Sequence, residues 1–352
     1  MLADLHFGKH NSQEWEDNYK SYFRDFFMPL LKTSASAVKD SPMDKQCVLI
    51  AGDVFDNRNH IDISVINDAV DVITEISSYC PVIIDTGNHD IYKTNDTDIT
   101  SLRILSLVPN VYIVKDLTTV TFSNDKKFLV VPWVGDSKKE TQILRENKDS
   151  VDVIITHTEI SGMKFNKTID IIDGVDITTI GKKIYSGHIH IRQDSKKCTY
   201  LGAPYALDRN DIGNKKGVYV LHLGKTIQEK FYENNYSPEF VQIVYSKDMG
   251  EVNDIVKNNY VDFIYKRSEK NDIDISAITD TYINEYGAKD VKFYEKDDTK
   301  SASSLEIKDI DINNDINDVF EQTITNAQLT EEDMKELVAL NQHYVELAKK
   351  GE

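Results

Sequence analysis

The stretch Asp85-Thr86-Gly87-Asn88-His89-Asp90 decides how this chain reads. It follows the apolar run Pro81–Ile84, which reads as a buried strand ending in a tight turn at Gly87. A strand that stops in Gly-Asn-His-Asp sets an amide oxygen and an imidazole at the edge of a sheet. Four other stretches offer matching groups. They are Asp4-Leu5-His6, Gly52-Asp53-Val54-Phe55-Asp56 after Val48–Ala51, His157 after Val151–Thr156, and Gly187-His188-Ile189-His190 after Lys183–Ser186. Residues two apart on extended backbone face the same way, so Asp4 with His6, and His188 with His190, can each face one cavity.

Asp4, His6, Asp53, Asn88, His157, His188 and His190 form a carboxylate, imidazole and amide set suited to two divalent transition ions. Asp53 can bridge both through its two oxygens. Asn88 ligates through a neutral oxygen, so two dications meet two carboxylates and leave a positive surplus for a phosphodiester. His89 is placed to protonate a leaving oxygen or to stabilise the charge of the transition state. Asp56, three residues after Asp53, is its candidate orienting partner. Gly-Asp turns and lone histidines are ordinary loop chemistry, and His10, His60, His222 and His343 are read that way. The ordered recurrence after apolar runs is what argues against coincidence.

Working outward, Trp15, Tyr19, Tyr22, Phe23, Phe26, Phe27 and Leu30 recur at helical spacing and predict a core-packing helix over 14–32. A second helix is predicted over 63–78 and a helical stretch at 100–107, with further strands at 128–134 and 218–223. This alternation argues for a layered α/β domain over residues 1–235. Strands at 240–245, 261–265 and 291–294 with a helix near 274–286 make a small α+β unit over 236–295. Residues 296–312 read as an acidic linker. Residues 313–352 read as a helical pair with apolar positions at Ile316, Phe320, Leu337, Val338 and Val345, which either dock on their own domain or bind another protein's helices. Before Asp4 stand three residues, against the usual strand of about five or six. Either the first strand is very short or the sequence starts late relative to its natural beginning.

The chain has 352 residues and a net charge of −18, which argues against strong independent nucleic-acid binding. Residues 293–352 hold 15 acidic and 6 basic residues, so half of the surplus lies in the tail. The three cysteines, Cys47, Cys80 and Cys198, lack paired spacing and read as reduced core thiols. Without a membrane-length apolar run or a basic-apolar leader, a soluble protein of the cytoplasm is expected, of the host cytoplasm if phage-encoded.

The motifs Asp4-Leu5-His6, Gly52–Asp56, Gly87–Asp90, His157 and Gly187–His190 resemble those of the calcineurin-like metallophosphoesterases over residues 4–190. Within that superfamily the chain is most similar to the SbcD-type DNA repair nucleases, above all the recombination endonuclease subunit of large tailed bacteriophages. Ala3–Gly8, Gly52–Arg58, Tyr185–His190 and Tyr200–Tyr205 carry this likeness, which extends over nearly the whole chain. The resemblance implies an α-β-β-α sandwich with a small capping domain. It implies one ion on Asp4, His6, Asp53 and His190, a second on Asp53, Asn88, His157 and His188, and a catalytic His89. Manganese is the expected metal, with magnesium as the alternative. DNA ends are the expected substrate, a homodimer the expected state, and an SbcC-type ATPase the partner gripped by the C-terminal helices. Asp56 stands where cellular relatives commonly have His. The rival readings are a phosphatase or small-molecule phosphodiesterase with the same centre, and a non-catalytic scaffold. The seven intact ligand positions speak against the scaffold.

Overall fold

The computed structural model describes residues 1–9, 18–37, 45–93, 96–246, 252–268 and 273–296. The chain divides into two units, Met1–Lys296 and Asp297–Glu352. All of the second lies outside the described residues, and with it most of the expected linker, the helical pair, and Ile316, Phe320, Leu337, Val338 and Val345. Trp15 lies outside them too.

The first unit is mixed α/β. Unbroken apolar runs form β1 (Val48–Ala51) and β2 (Val82–Asp85), which pair in parallel with each other and with β5 (Val111–Val114). Leu2 joins this sheet by a single parallel bridge to Ile50. Between β2 and β5 lies the small hairpin β3 (Ile91–Lys93) and β4 (Asp96–Thr100).

A second sheet has the order β10–β11–β9–β8–β7–β6. Its members are β6 (Thr118–Thr121), β7 (Lys127–Val131), β8 (Val153–His157), β9 (Lys183–Gly187), β10 (Gln193–Asp194) and β11 (Cys198–Tyr200). The inner four, β7, β8, β9 and β11, run parallel, and antiparallel strands close both edges. The hairpin β12 (Gly217–Leu223) and β13 (Ile227–Glu233) follows. Then come three parallel strands, β14 (Phe240–Val244), β15 (Tyr260–Lys266) and β16 (Asp290–Lys296). These last strands share their own core, in which Val261, Phe263 and Val291 meet Tyr282.

The period of two along each strand distributes side chains between cores. Val48 and Ile50 of β1 join Tyr22, Phe23, Phe26 and Phe27 and the helical residues Ala69, Ile73 and Ile76. Leu49 and Ala51 join Phe128, Val130, Val153, Ile155 and Tyr185 of the six-stranded sheet. The opposite face of that sheet, with Leu129, Val131, Ile154 and Ile184, packs with Leu144.

The longer helices among the described residues are α1 (Met28–Ala37), α2 (Ile63–Ser77), α3 (Ser137–Asn147) and α4 (Ile275–Asn284), and a single helical turn spans Asn253–Val256. The predicted first helix is described from residue 18 and reaches 37, with Tyr22–Phe27 wound as a π-helix. The stretch Ser101–Leu107 is a 3-10 helix. No helix of the described residues is long and apolar enough to cross a membrane.

Candidate metal centre

Every predicted ligand stands at the carboxyl end of a strand or, for Asp4 and His6, just after the Leu2 bridge to Ile50. This is where open α/β sheets place their sites. The side chains converge from five separate segments. Ligand atoms of Asp4, His6 and His190 lie within 4.8 Å of one another, as do those of Asp4, Asp53 and His157, and of His6, Asp56 and His89. Asn88 Oδ1 joins them, 3.0 Å from His157 Nε2 and 2.9 Å from His188 Nδ1.

The glycines of the motifs are steric necessities. At Gly52, whose φ is +82°, a Cβ would stand 2.3 Å from His157 Nδ1. At Gly87 it would stand 2.2 Å from Asp53 Oδ1. Either methyl would push a candidate ligand out of place.

The backbone itself is strained at the centre. Asp4, His6, Asp53 and His188 have φ of 55°, 45°, 54° and 82°, in the left-handed region that costs an L-residue about 1–3 kcal/mol. Elsewhere among the described residues, the non-glycine residues with positive φ are Asn110, Asp125 and Asn258, residue types that tolerate turns. Concentrating strain on four candidate ligands is the signature of a site whose geometry is imposed by its surroundings.

Hydrogen bonds fix the ligating edges. His157 Nδ1–H donates to Ala51 O at 2.8 Å, which turns Nε2 toward Asp53 Oδ2 at 3.2 Å. His188 Nε2 lies 3.3 Å from Glu159 Oε1, and its backbone N–H donates to Asp4 Oδ1 at 2.8 Å. Asp53 Oδ1 accepts the His89 N–H at 2.8 Å. Below them, buried Asp90 accepts the N–H groups of Asp53, Val54 and Gly87 at 2.8, 3.0 and 2.9 Å.

Asp56 does not orient His89 through its carboxylate. The His89 Nδ1–H donates to the main-chain carbonyl of Asp56 at 2.6 Å, while Asp56 Oδ1 lies 3.0 Å from His6 Nδ1. The loop from Gly52 to Asp56 turns its peptide toward His89 and its side chain toward His6.

The electrostatics are those of packed opposite charges. Burial alone would raise the Asp53 carboxyl, but His157 and His6 hold it well below the usual carboxylate range. Burial would lower His157, yet Asp53 and Asp4 raise it to about 10. Burial and the neighbouring His6 push His190 well below the usual imidazole value, which keeps it neutral and able to ligate.

The residues fit a pair of hard-to-intermediate cations. Asp4 Oδ2 and His6 Nε2 are buried and have no hydrogen-bond partner among the described residues. Such buried acceptors are costly unless something binds them. The donor set, imidazole with carboxylate and amide oxygen, suits divalent transition ions.

Several neighbours escaped the sequence reading. Trp133 lies with its ring 5.0 Å from that of His188, and Glu159 touches the same imidazole. Lys216 looks like half of a surface Lys-Lys pair, but it is 2% exposed. Its ammonium donates to His190 O at 2.8 Å and pairs with buried Asp211. Glu140 is fully buried on α3 and accepts the Thr156 hydroxyl at 2.5 Å, one residue before His157.

Burial raises the Glu140 carboxyl to about 7. A folded value above the unfolded value near 4.5 means a contribution to stability that is complete below about pH 4.5 and lost as pH rises through 7. Glu140→Gln should therefore flatten the decline in unfolding free energy between pH 5 and 7.5, by roughly 3 kcal/mol at most. Urea titrations at several pH values measure this. A wild-type profile that is already flat would refute it.

No protein-family model matches the chain. Curated relatives do. A protein of Invertebrate iridescent virus 3 named as a phosphoesterase is 28% identical over 185 residues, 51% of this chain and 52% of the relative. Exonuclease subunit 1 of Enterobacteria phage T4 is 26% identical over 189 residues, 52% of this chain and 55% of the relative. A second protein named as a phosphoesterase, from Invertebrate iridescent virus 6, is 26% identical over 160 residues. The matches span about half the length of each relative. The expected likeness to metallophosphoesterases is borne out, with a phage nuclease subunit among the relatives.

Proposed function

We propose that this chain is a metal-dependent phosphodiesterase acting on DNA, the nuclease subunit of a recombination and double-strand-break repair complex. The observation that carries the reading is the convergence of Asp4, His6, Asp53, Asn88, His157, His188 and His190, with His89 beside them, around buried unpaired acceptors. The phage exonuclease subunit among the relatives supports DNA as the substrate. Asp4, His6, Asp53 and His190 would hold one ion, and Asp53, Asn88, His157 and His188 the other, manganese for preference. Bound there, the ions would polarise the phosphate and acidify a water near neutral pH.

The chain's own groups do the rest. Since the Asp56 carbonyl can only accept, it fixes one proton on His89 Nδ1 and leaves Nε2 as the nitrogen that, when it too carries a proton, can pass it to the departing oxygen. His89 is half-buried and so within reach of a bound strand. Asp56 acts by steadying His89 through its carbonyl and His6 through its carboxylate. In this reading the two larger sheets and their helices form an α-β-β-α sandwich over 1–235, capped by 236–295. Residues 296–312 link it to helices at 313–352 that grip an SbcC-type ATPase. The subunit works as a homodimer in the cytoplasm.

His89→Ala is the test. Manganese-dependent degradation of linear duplex DNA should fall by about 10²–10⁴-fold with bound metal unchanged. The two viral relatives named as phosphoesterases favour a second reading, hydrolysis of another phosphoester at the same centre. Metal-dependent turnover of an aryl phosphodiester without DNA cleavage would select it. Two bound metals with neither activity would leave a scaffold.

A further inference from the structure

The opposite end of the six-stranded sheet has a different character from the rest of this acidic chain. The amino-terminal ends of the parallel strands β7, β8, β9 and β11 share one edge, by the register Phe128↔Val153, Val153↔Lys183 and Ile184↔Cys198. That edge gathers Lys127, Lys148, Lys182, Lys183, Lys196 and Lys197. Contacts knit them together: Lys148 Nζ donates to Thr179 O at 2.8 Å, Lys197 Nζ to Thr178 O at 2.9 Å, and Lys183 Nζ to Ser195 O at 2.8 Å. The acids of the same turns are mostly paired with other cations, Asp176 with Arg145 at 2.6 Å and Asp194 with Arg192. Asp152 pairs with Lys126 at 3.2 Å, and Glu229 lies 3.8 Å from Lys183. Asp125 and Asp149 are exposed.

Such a cluster in a chain of net charge −18 is a local reversal of sign. It cannot serve the phosphate at the metal centre, because the five-residue strands β8 and β9 put about 17 Å between their two ends. Nor does it look like a protein-docking face. None of the exposed large apolar side chains falls in the turns that form this edge, and protein interfaces depend on apolar anchors. Phosphate backbones need none, since lysines displacing counterions supply the affinity.

We propose that this lysine edge is a second contact for duplex DNA, binding its phosphate backbone away from the metal centre. The inference rests on the DNA reading above. Its test is binding of a labelled duplex to the full chain by fluorescence anisotropy, in EDTA and over a range of salt. The variant replaces Lys127, Lys182, Lys196 and Lys197 by Ala, and a second replaces the same four by Arg. The expected result is a salt-dependence slope reduced by about one per lysine removed. Affinity should fall more than about tenfold at low salt. The Arg variant should bind like the wild type, and aryl phosphodiester turnover should stay unchanged.

An unchanged slope in the Ala variant, or no duplex binding by the wild type, would overturn the inference. So would an Ala variant that loses polyglutamate but keeps DNA, which would point to an acidic protein. Because binding is read without metal, failure here is separable from failure of the nuclease reading. Cleavage with an unaltered slope defeats this proposal alone, and a lost slope without cleavage defeats the other.

Discussion

On the nuclease reading, Asp53→Asn should abolish phosphodiester hydrolysis, with a loss of about 10³-fold or more. The cause is its position in the network. Its Oδ1 is pinned by the His89 N–H at 2.8 Å, and its Oδ2 lies 3.2 Å from His157 Nε2 and 3.6 Å from His6 Nε2. An amide there would remove the anion proposed to be shared by the two ions and would turn an N–H₂ toward two imidazoles. The same substitution has a reading that needs no metal. Asp53 is the first of the charges that raise His157 against its burial. Without it only Asp4 and the Ala51 carbonyl oppose burial, and the imidazole should titrate below the value of about 10 to which the pair raises it. NMR of the metal-free protein follows this directly. A His157 that still titrates near its present value in the variant would show that the pair is not the controlling interaction.

The second large effect is on stability. Asp90→Ala should cost about 4 kcal/mol or more in urea unfolding. It strips the acceptors from the N–H groups of Asp53, Val54 and Gly87, and each buried unsatisfied donor costs roughly 1–3 kcal/mol. Asn at 90 should cost less, since one oxygen remains, but its N–H₂ must face at least one backbone donor. Asp90 carries a penalty of its own, as burial and the charge of Asp53 raise its carboxyl to about 7. A loss below about 1 kcal/mol for the Ala variant would mean that water or relaxation satisfies the three donors. The last residue of Gly-Asn-His-Asp thus acts on its own turn and on the Gly52–Phe55 loop, holding two ligand-bearing loops in one register.

How far the sequence carried depended on whether burial left an apolar trace. β1 is an unbroken apolar run and lies where that run lies, at Val48–Ala51. The candidate ligands were legible because each interrupts such a run at its end. α3 was not legible, since its buried face includes Glu140 and Thr141 beside Leu144, and no helical stripe shows in the letters. β4 escaped because it is the polar segment Asp96–Thr100, and β5 because four residues between turns carry little signal. The Asp56 to His89 contact shows a different limit. Spacing brought the two residues together, but whether a carboxylate or a carbonyl would make the contact depends on a backbone turn that residue types do not specify. Lys216 is the extreme case, a charged side chain whose burial follows from a tertiary partner, Asp211.

The bond from the His188 N–H to Asp4 Oδ1 joins residues 184 positions apart. The centre is therefore among the most non-local parts of the fold, and loop closure on that scale makes it slow to form. A chain emerging from the ribosome presents Asp4, His6 and Asp53 early, but holds no complete set until residue 190 is out. During that interval two buried-to-be carboxylates and several imidazoles are open to any passing ion. Correct metal loading thus becomes a matter of folding order as well as of affinity.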